Sequence, residues 1–517
     1  MTAGHIQRSY GEIRYAAAIT DADPDRPGNI LLMYNRASVP ATWDSGGTWN
    51  REHVWPDSRQ PGNASNSARG NVGDHHAVRP CNPSINSSRG NKPYSGADQA
   101  GTHGSLGSYY FPGDVEKGDT ARILFYSDVR WGSIQGLSLV DTFPAGYQMG
   151  QLAALVAWHY MDPPDEFEVR RNHAVYSQQM NPQYYTNNRN ALVDLPGVVW
   201  SLYVNQENDS TVFVGDAPGP DGSSGVSVAV NLLVGQDAGQ VVVPVRKSGW
   251  AGTYFEVRTS DGLVASREGV HNAFPIGESD AAQDLVLSLA PGATDAAGLL
   301  MEHAIVSNLD VTTQAGPGMG ANDADDLVDV SIAVYEPAVG SFDPEESVAE
   351  LLLDLGEIAP GSGDAVGVFD LFNAGSWEAA PMDVELALAV GDTDAFALGF
   401  ETVSGLLPGG QETVVVTMSD EAPGEFEAVY TFLVFNDRGM FADPGQARAL
   451  TLTVTGSVGS GCVIDLAEPF GEVDLFDLIA FVTLFQGQDP AADVTGDGVI
   501  DVFDVIEFVG AYDAGCP

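Results

Sequence analysis

A chain of 517 residues is longer than one hydrophobic core organises, so about three or four domains are expected. A hydrophobic share of 44% with 18% charged residues is that of a folded protein, and no run approaches the roughly 18 apolar residues that make a membrane-spanning helix. The net charge of -49 is uneven: residues 1–206 carry sixteen Lys/Arg against nineteen Asp/Glu, and the remaining 311 carry six against 52. A polyanionic ligand is thereby kept off the acidic part and directed to the N-terminal part, where fourteen of the sixteen cations are arginines.

The start, MTAGHIQRSYGEIRY, lacks the apolar core of a secretory signal, so either a signal lies upstream or the chain is cytosolic. Residues 49–58 read WNREHVWPDS. Neighbours on a strand point to opposite faces, so Glu52 and His53 serve one site only if the strand ends there, and Pro56 is a plausible stop. Residues 73–91, GDHHAVRPCNPSINSSRGN, crowd histidines, arginines and asparagines. Phosphodiester cleavage needs a base for water, a divalent metal and cations for the developing charge, which Glu52, His53, Asn86 and the arginines supply. No G-x-S-x-G elbow points to serine chemistry, and a zinc site at His75 and His76 lacks the remaining nitrogen or sulfur donors. Trp43, Trp49 and Trp55 are read as core aromatics in preference to base-stacking platforms. Arg171, Asn172 and Arg189 are read as scaffold hydrogen-bonders.

Further along, MGQLAALVAWHYM (149–161) predicts a buried helix stopped by Asp162-Pro163-Pro164. The linker DAPGPDGSSG (216–225) opens a texture of alternating strands, VSVAVNLLV, QVVVPV and GTYFEVRTSDG, the last ending in a Ser-Asp-Gly hairpin turn. The domains expected are 1–207, a β-sandwich at 208–335, an immunoglobulin-like β-sandwich at 336–456 and a small helical domain at 461–517 after the hinge GSVGSG. Residues 208–517 are expected to be dispensable for cleavage. In the last segment, DVTGDGVIDVFD places Asp493, Thr495, Asp497, Asp501 and Asp504 at loop positions 1, 3, 5, 9 and 12, with the Val499 carbonyl at 7 and Gly498 at 6. That is the spacing of a Ca²⁺ loop. Cys462 and Cys516 bracket this segment and are either a disulfide of an oxidising compartment or two reduced thiols, while Cys81 stands alone.

WNREHVWPDS and GDHHAVRPCNPSINSSRGN, followed by EVRRNHAVYSQQMNPQYYTNNRNALVDLP, resemble the bacterial secreted endonuclease I family of ββα-metal (His-Me finger) nucleases over about residues 9–205. In the third stretch Ala191, Leu192 and Leu195 replace the usual Pro, Phe and His. The resemblance implies an α+β nuclease domain, with His53 as general base, Glu52 and Asn86 as ligands of one Mg²⁺, and His76 as a bracing histidine. Arg69 is assigned the transition-state cation, Arg51 and Asn91 contact with the nucleic acid, and Arg79 and Arg89 a structural or phosphate-binding part. The substrate implied is DNA, with RNA as a second. The last segment resembles a type I dockerin, two calcium-loop-plus-helix repeats, although Asp465 to Asp477 is one residue too long and Ala467 and Pro469 replace ligands. This implies a cohesin-like or cell-surface partner. The competing reading is a non-enzymatic extracellular adhesin or scaffold with a degenerate nuclease-like head, against which Glu52, His53 and Asn86 stand intact.

Overall fold

A computed structural model describes residues 1–204, 206–277, 280–309, 323–459, 462–468 and 473–515. The chain divides into two compact units, one of residues 1–228, 239–290 and 301–330, the other of 229–238, 291–300 and 331–517.

In the first unit the elements that position the site are α1 (Ile13–Thr20), β1 (Asn29–Leu31) with β2 (Ser38–Pro40), β3 (Asn50–His53), β4 (Val78–Cys81) and α2 (Pro83–Arg89). These are followed by α3 (Lys117–Gln135), α4 (Leu152–Met161), α5 (Glu166–Tyr176) and α6 (Ala191–Asp194). β3 and β4 pair antiparallel with Glu52 opposite Arg79 and His53 opposite Val78. α2 follows at once because Asn82 caps it, its side chain accepting from Ser84 N at 2.9 Å and Ile85 N at 3.3 Å, with Pro83 pre-set for the first turn. Gly90 ends the helix at φ +60°, where a side chain would be strained. The helix expected from Met149 begins at Leu152, since Met149 pairs in register with Leu139.

The core of this region brings Ala121, Leu124 and Phe125 of α3 together with Leu155 and Trp158 of α4 and with Trp200. It does not stop at residue 207. Ala251, Tyr254 and Ala273 belong to the same buried cluster, and the Tyr254 hydroxyl donates to the His159 carbonyl. His159 Nε2 in turn donates to the Pro196 carbonyl at 2.9 Å. A cut at 207 would therefore expose apolar surface that the expectation of dispensability left out of account.

Residues 211–335 form two sheets: Gly225–Leu233, Asp326–Tyr335, Gly298–Asn308, Thr253–Thr259 and Gly269–Phe274 in one, and Leu263–Ala265, Ala281–Leu289, Val241–Ser248 and Thr211–Val214 in the other. The expected hairpin at Ser260-Asp261-Gly262 is absent. Thr253–Thr259 and Leu263–Ala265 lie in different sheets, so the turn is a corner between layers. Residues 340–458 form a second pair of sheets, of four and five strands, around Leu371, Met382, Val416, Phe432 and Leu452. The last described elements are α7 (Leu475–Gly487) and α8 (Val502–Ala514), joined by stacking of Phe481 on Phe508 at 4.0 Å. Cys462 is disulfide-bonded and Cys81 is free and buried. Cys516, its expected partner, lies outside the described residues, as do Pro469 and the end of the 456–461 hinge.

Candidate active site

β3 ends at His53, three residues before Pro56. Alternation puts Arg51 and His53 on one face of the strand and Asn50 and Glu52 on the other. On the first face, His53 Nε2 lies 2.8 Å from the carbonyl of Val72, in the tight turn Gly70–Gly73. A carbonyl only accepts, so Nε2 carries the proton and Nδ1 holds its lone pair. Tyr10 stacks on the imidazole with centroids 4.8 Å apart and planes 17° apart, fixing the ring. Burial lowers the His53 pKa below the ordinary 6.5, which keeps the ring neutral and able to accept a proton.

On the second face, Glu52 is 2% exposed. Its Oε1 accepts from the Tyr34 hydroxyl at 2.6 Å and faces Arg89 Nη1 at 3.2 Å. Burial raises its pKa, while Arg89 and the Tyr34 hydrogen bond oppose that rise. Arg89 Nη1 also donates to the His53 carbonyl at 2.9 Å, which clips α2 to the end of β3. One turn back on α2, Asn86 Nδ2 donates to Asn50 Oδ1 at 2.9 Å and to the Arg51 carbonyl at 3.5 Å. These contacts use Oε1 of Glu52 and Nδ2 of Asn86, so Glu52 Oε2 and Asn86 Oδ1 are the oxygens left to meet a ligand. Two such donors, with water for the rest, suit a small hard divalent cation. Among the described residues no three His, Cys, Asp or Glu side chains converge as an all-protein cage.

The Endonuclease I family profile matches residues 5–190. The extracellular ribonuclease of Bacillus amyloliquefaciens is 37% identical over 205 residues, covering 38% of this chain and 68% of the relative. The extracellular ribonuclease of Bacillus subtilis (strain 168) is 36% identical over 205 residues with the same coverage. The chain belongs to the Endonuclease I family. Its N-terminal part is a nuclease domain, an enzyme unit that hydrolyses nucleic acid. A crystal structure of a protein of unknown function from Porphyromonas gingivalis W83 aligns at 14% identity with a TM-score of 0.20, covering 48% of this chain and 99% of that one. That likeness is too low to bear on fold or function.

Within the nuclease domain the remaining expected residues fall into four groups. Arg79 and Arg89 are 0% and 1% exposed and are removed from any phosphate. Arg79 is spent on Asp21 at 2.7 Å and on Glu116 and Asp119 at 3.5 Å, and Arg89 on Glu52. Of the two parts expected of them, structural or phosphate-binding, their burial favours the structural one, a choice open in the sequence because buried and phosphate-binding arginines look alike there. His76 is buried, tied through Nε2 to the Asn188 carbonyl at 3.0 Å and tilted on Tyr126, contacts that lie inside the domain. Arg69 is half-exposed, on the Gln7 carbonyl and 3.9 Å from Glu12; no contact joins it to His53, Glu52 or Asn86 among the described residues. Arg51 and Asn91 remain accessible, Arg51 on the His53 face and Asn91 beside Ser58 past the end of α2.

Arg189 is paired with Asp194 at 2.6 Å and Asn172 with the Asn190 carbonyl at 3.0 Å, both scaffold contacts. Sequence reasoning missed Tyr10, Tyr34 and the Val72 carbonyl, which set the posture of His53 and Glu52. Tyr10 and Tyr34 lie 43 and 18 residues before the side chains they hold, with no local pattern linking them. At the other end of the chain, Asp493 accepts from Asp497 N and Gly498 N, and Asp504 from Thr495 N and Asp501 N, so the expected calcium loop is closed on itself through its carboxylates.

Proposed function

We propose that this chain is a secreted, metal-dependent endonuclease of little sequence preference, hydrolysing RNA and DNA through a ββα-metal site. The observation that carries the reading is His53, whose Nε2 is committed to Val72, leaving Nδ1 as a proton acceptor at the end of the strand that also bears Glu52. His53 takes the proton of the attacking water; the neutral ring that burial favours is the form this step requires. Glu52 and Asn86 would hold Mg²⁺, which when bound neutralises charge on the scissile phosphate and its leaving oxygen. Arg51 faces the phosphate from the His53 side. The names of the two Bacillus relatives support RNA as a substrate and export from the cell. Among the described residues no helix is long and apolar enough to cross a membrane.

We also propose that α7 and α8 are a calcium-binding, dockerin-like docking module. The two helices start on identical capping boxes, Asp474 with Asp477 and Asp501 with Asp504. Leu475, Phe476, Ile479 and Val482 of the first repeat and Val502, Phe503, Ile506 and Val509 of the second are all exposed. A duplicated apolar patch of this kind supports a protein partner, cohesin-like or on a cell surface.

The test is cleavage of structured RNA and nicking of supercoiled plasmid by wild type and His53→Ala, with Mg²⁺, with Ca²⁺ alone and with EDTA. Wild type should cleave only with Mg²⁺, and the variant should lose about 10²–10⁴-fold in rate. Cleavage at the wild-type rate by a folded His53→Ala chain would refute the assignment.

A further inference from the structure

From His53 a continuous series of rings and guanidinium groups runs across the surface of the nuclease domain. His53 is stacked by Tyr10. The Arg51 guanidinium lies 3.7 Å above the Tyr10 ring and 5.2 Å from the Trp43 ring. Arg14 lies 6.0 Å from the other side of this series at Trp43 and 5.4 Å from Tyr15, and Tyr15 stacks on Tyr184 at 6.0 Å.

Three features separate this strip from ordinary surface. First, its cations are uncompensated: among the described residues no carboxylate forms an ion pair with Arg14 or Arg51. Arg14 Nε donates to the Gly11 carbonyl at 2.8 Å and Arg51 Nη1 to the Tyr10 carbonyl at 2.6 Å, neutral acceptors that leave both charges free for an anion. Arg51 Nε is buried without any partner. Unlike Arg36, Arg79, Arg89, Arg122 and Arg171, which have carboxylate partners, these two arginines meet at one ring, Trp43, with their charges left for an anion. Secondly, the rings are presented. Trp49 and Trp55 are fully buried, but Trp43 is half-buried and Tyr15 is 52% exposed. Thirdly, the acid beside Trp43 in the sequence is occupied. Asp44, next to Trp43, accepts from Gly47 N, Thr48 N and the Thr48 hydroxyl.

We propose that Trp43, Tyr15 and Arg14 form a subsite for a single-stranded stretch of nucleic acid, its unstacked bases on the two rings and its backbone along Arg14 and Arg51, leading to the phosphate at His53. This rests on the nuclease reading. Aromatic rings interleaved with cations hold single strands because every base has a face to stack and every nucleotide a phosphate. In a duplex those faces are covered by neighbouring bases, so the subsite makes an unpaired strand the preferred substrate. Trp43 is half-buried, packed against the core cluster around Trp49, and is thus a core aromatic whose remaining surface is specificity-determining.

The experiment compares kcat/KM of the full chain on a single-stranded decanucleotide with that on a dinucleotide of the same composition. Trp43→Ala should reduce this length preference about tenfold, the worth of one stacked base. Tyr15→Ala, at an exposed ring, should reduce it in the same direction, and Trp43→Phe should restore most of it. A second readout uses His53→Ala chains and fluorescence anisotropy: adding Trp43→Ala should weaken binding of the labelled single strand by a similar factor and binding of the matching duplex much less. An unchanged length preference and affinity in both Trp43→Ala and Tyr15→Ala, or equal losses on strand and duplex, would overturn the subsite. The two readings fail separately. A wild type that cleaves, with variants that bind and discriminate as it does, removes the subsite and leaves the nuclease. A wild type that cleaves nothing, with the anisotropy pattern as expected, removes the nuclease and leaves the subsite.

Discussion

The nuclease domain and the acidic remainder deal with charge in opposite ways. In the first, nearly balanced part, arginines are drawn inward and assigned to carboxylates: Arg79 to Asp21, Glu116 and Asp119, Arg122 to Glu168 and Asp119, Arg171 to Asp21. In the second part six cations face 52 acids, so most carboxylates have only water or backbone N–H groups to turn to. Of those that are buried, Asp326 sits beside Asp323 and Asp325, and Asp504 accepts from backbone N–H groups. The first region thus depends on each ion pair, and the second on keeping its charges wet. A strongly acidic surface keeps the β modules and the helical pair from competing for the nucleic acid that the arginine-rich domain must bind.

The largest effect expected tests where the first region ends. Because Tyr254, Ala251 and Ala273 lie in one buried cluster with Trp158, Tyr160 and Trp200, a chain ending at 207 should fail to give a cooperative melting transition. A chain ending at 336 should melt cooperatively and cleave. If the shorter chain melts as sharply and as high as the longer, the shared core is not what holds the nuclease domain.

The next pair of substitutions makes the comparison direct. Arg79→Met leaves Asp21, Glu116 and Asp119 buried around a missing cation and should cost about 3–5 kcal/mol. Arg438→Met removes a solvent-exposed guanidinium from Asp383 and Glu385, at 3.2 and 3.0 Å, but the Gly405 and Arg438 backbone N–H groups still donate to the buried Asp383, so it should cost only a small fraction of that value. Urea unfolding of the two variants checks both values. Equal costs would show that burial, and not pairing alone, had been misjudged as the difference.

How much of this was legible before any coordinates depends on whether the signal was local. Glu52-His53 and Asn86 lie within one strand pair and one helix, so a short motif carries them to one neighbourhood. The Asp474/Asp477 and Asp501/Asp504 echo was visible in the same way. What failed was the sorting of chemically identical residues by environment. Arg79, Arg89 and Arg51 differ only in burial, and so do Trp43 and Trp49. The Ser260-Asp261-Gly262 turn was legible as a reversal, but whether its flanking strands pair or part to different sheets is decided by partners such as Ala281–Leu289, which lie about twenty residues on.

The smallest effect expected concerns acid, and its sign separates the two charge strategies. Burial pushes the Asp326 carboxyl up from 3.8 to about 7, against a hydrogen bond from the Ser224 hydroxyl and with Asp323 and Asp325 adding to the rise. Its pKa is higher folded than unfolded, so between about pH 4 and pH 7 the folded chain binds more protons. Stability from this group falls as pH rises through that window and is level beyond it. His75 and His76 act the other way: burial lowers both to about 4, so the protons they bind below the ordinary 6.5 favour the unfolded chain, and stability is lost as pH falls from 6.5 to 4. The two slopes oppose each other in the wild type, and Asp326→Asn separates them. The variant should melt a few degrees above wild type at pH 8, roughly 2–4 °C for each kcal/mol regained, with the difference shrinking to nothing near pH 4. Differential scanning calorimetry of both chains at intervals of one pH unit measures it. A difference that stays constant from pH 4 to pH 8 would mean that Asp326 is ionised throughout, and that the acidic part solvates even its innermost carboxylates.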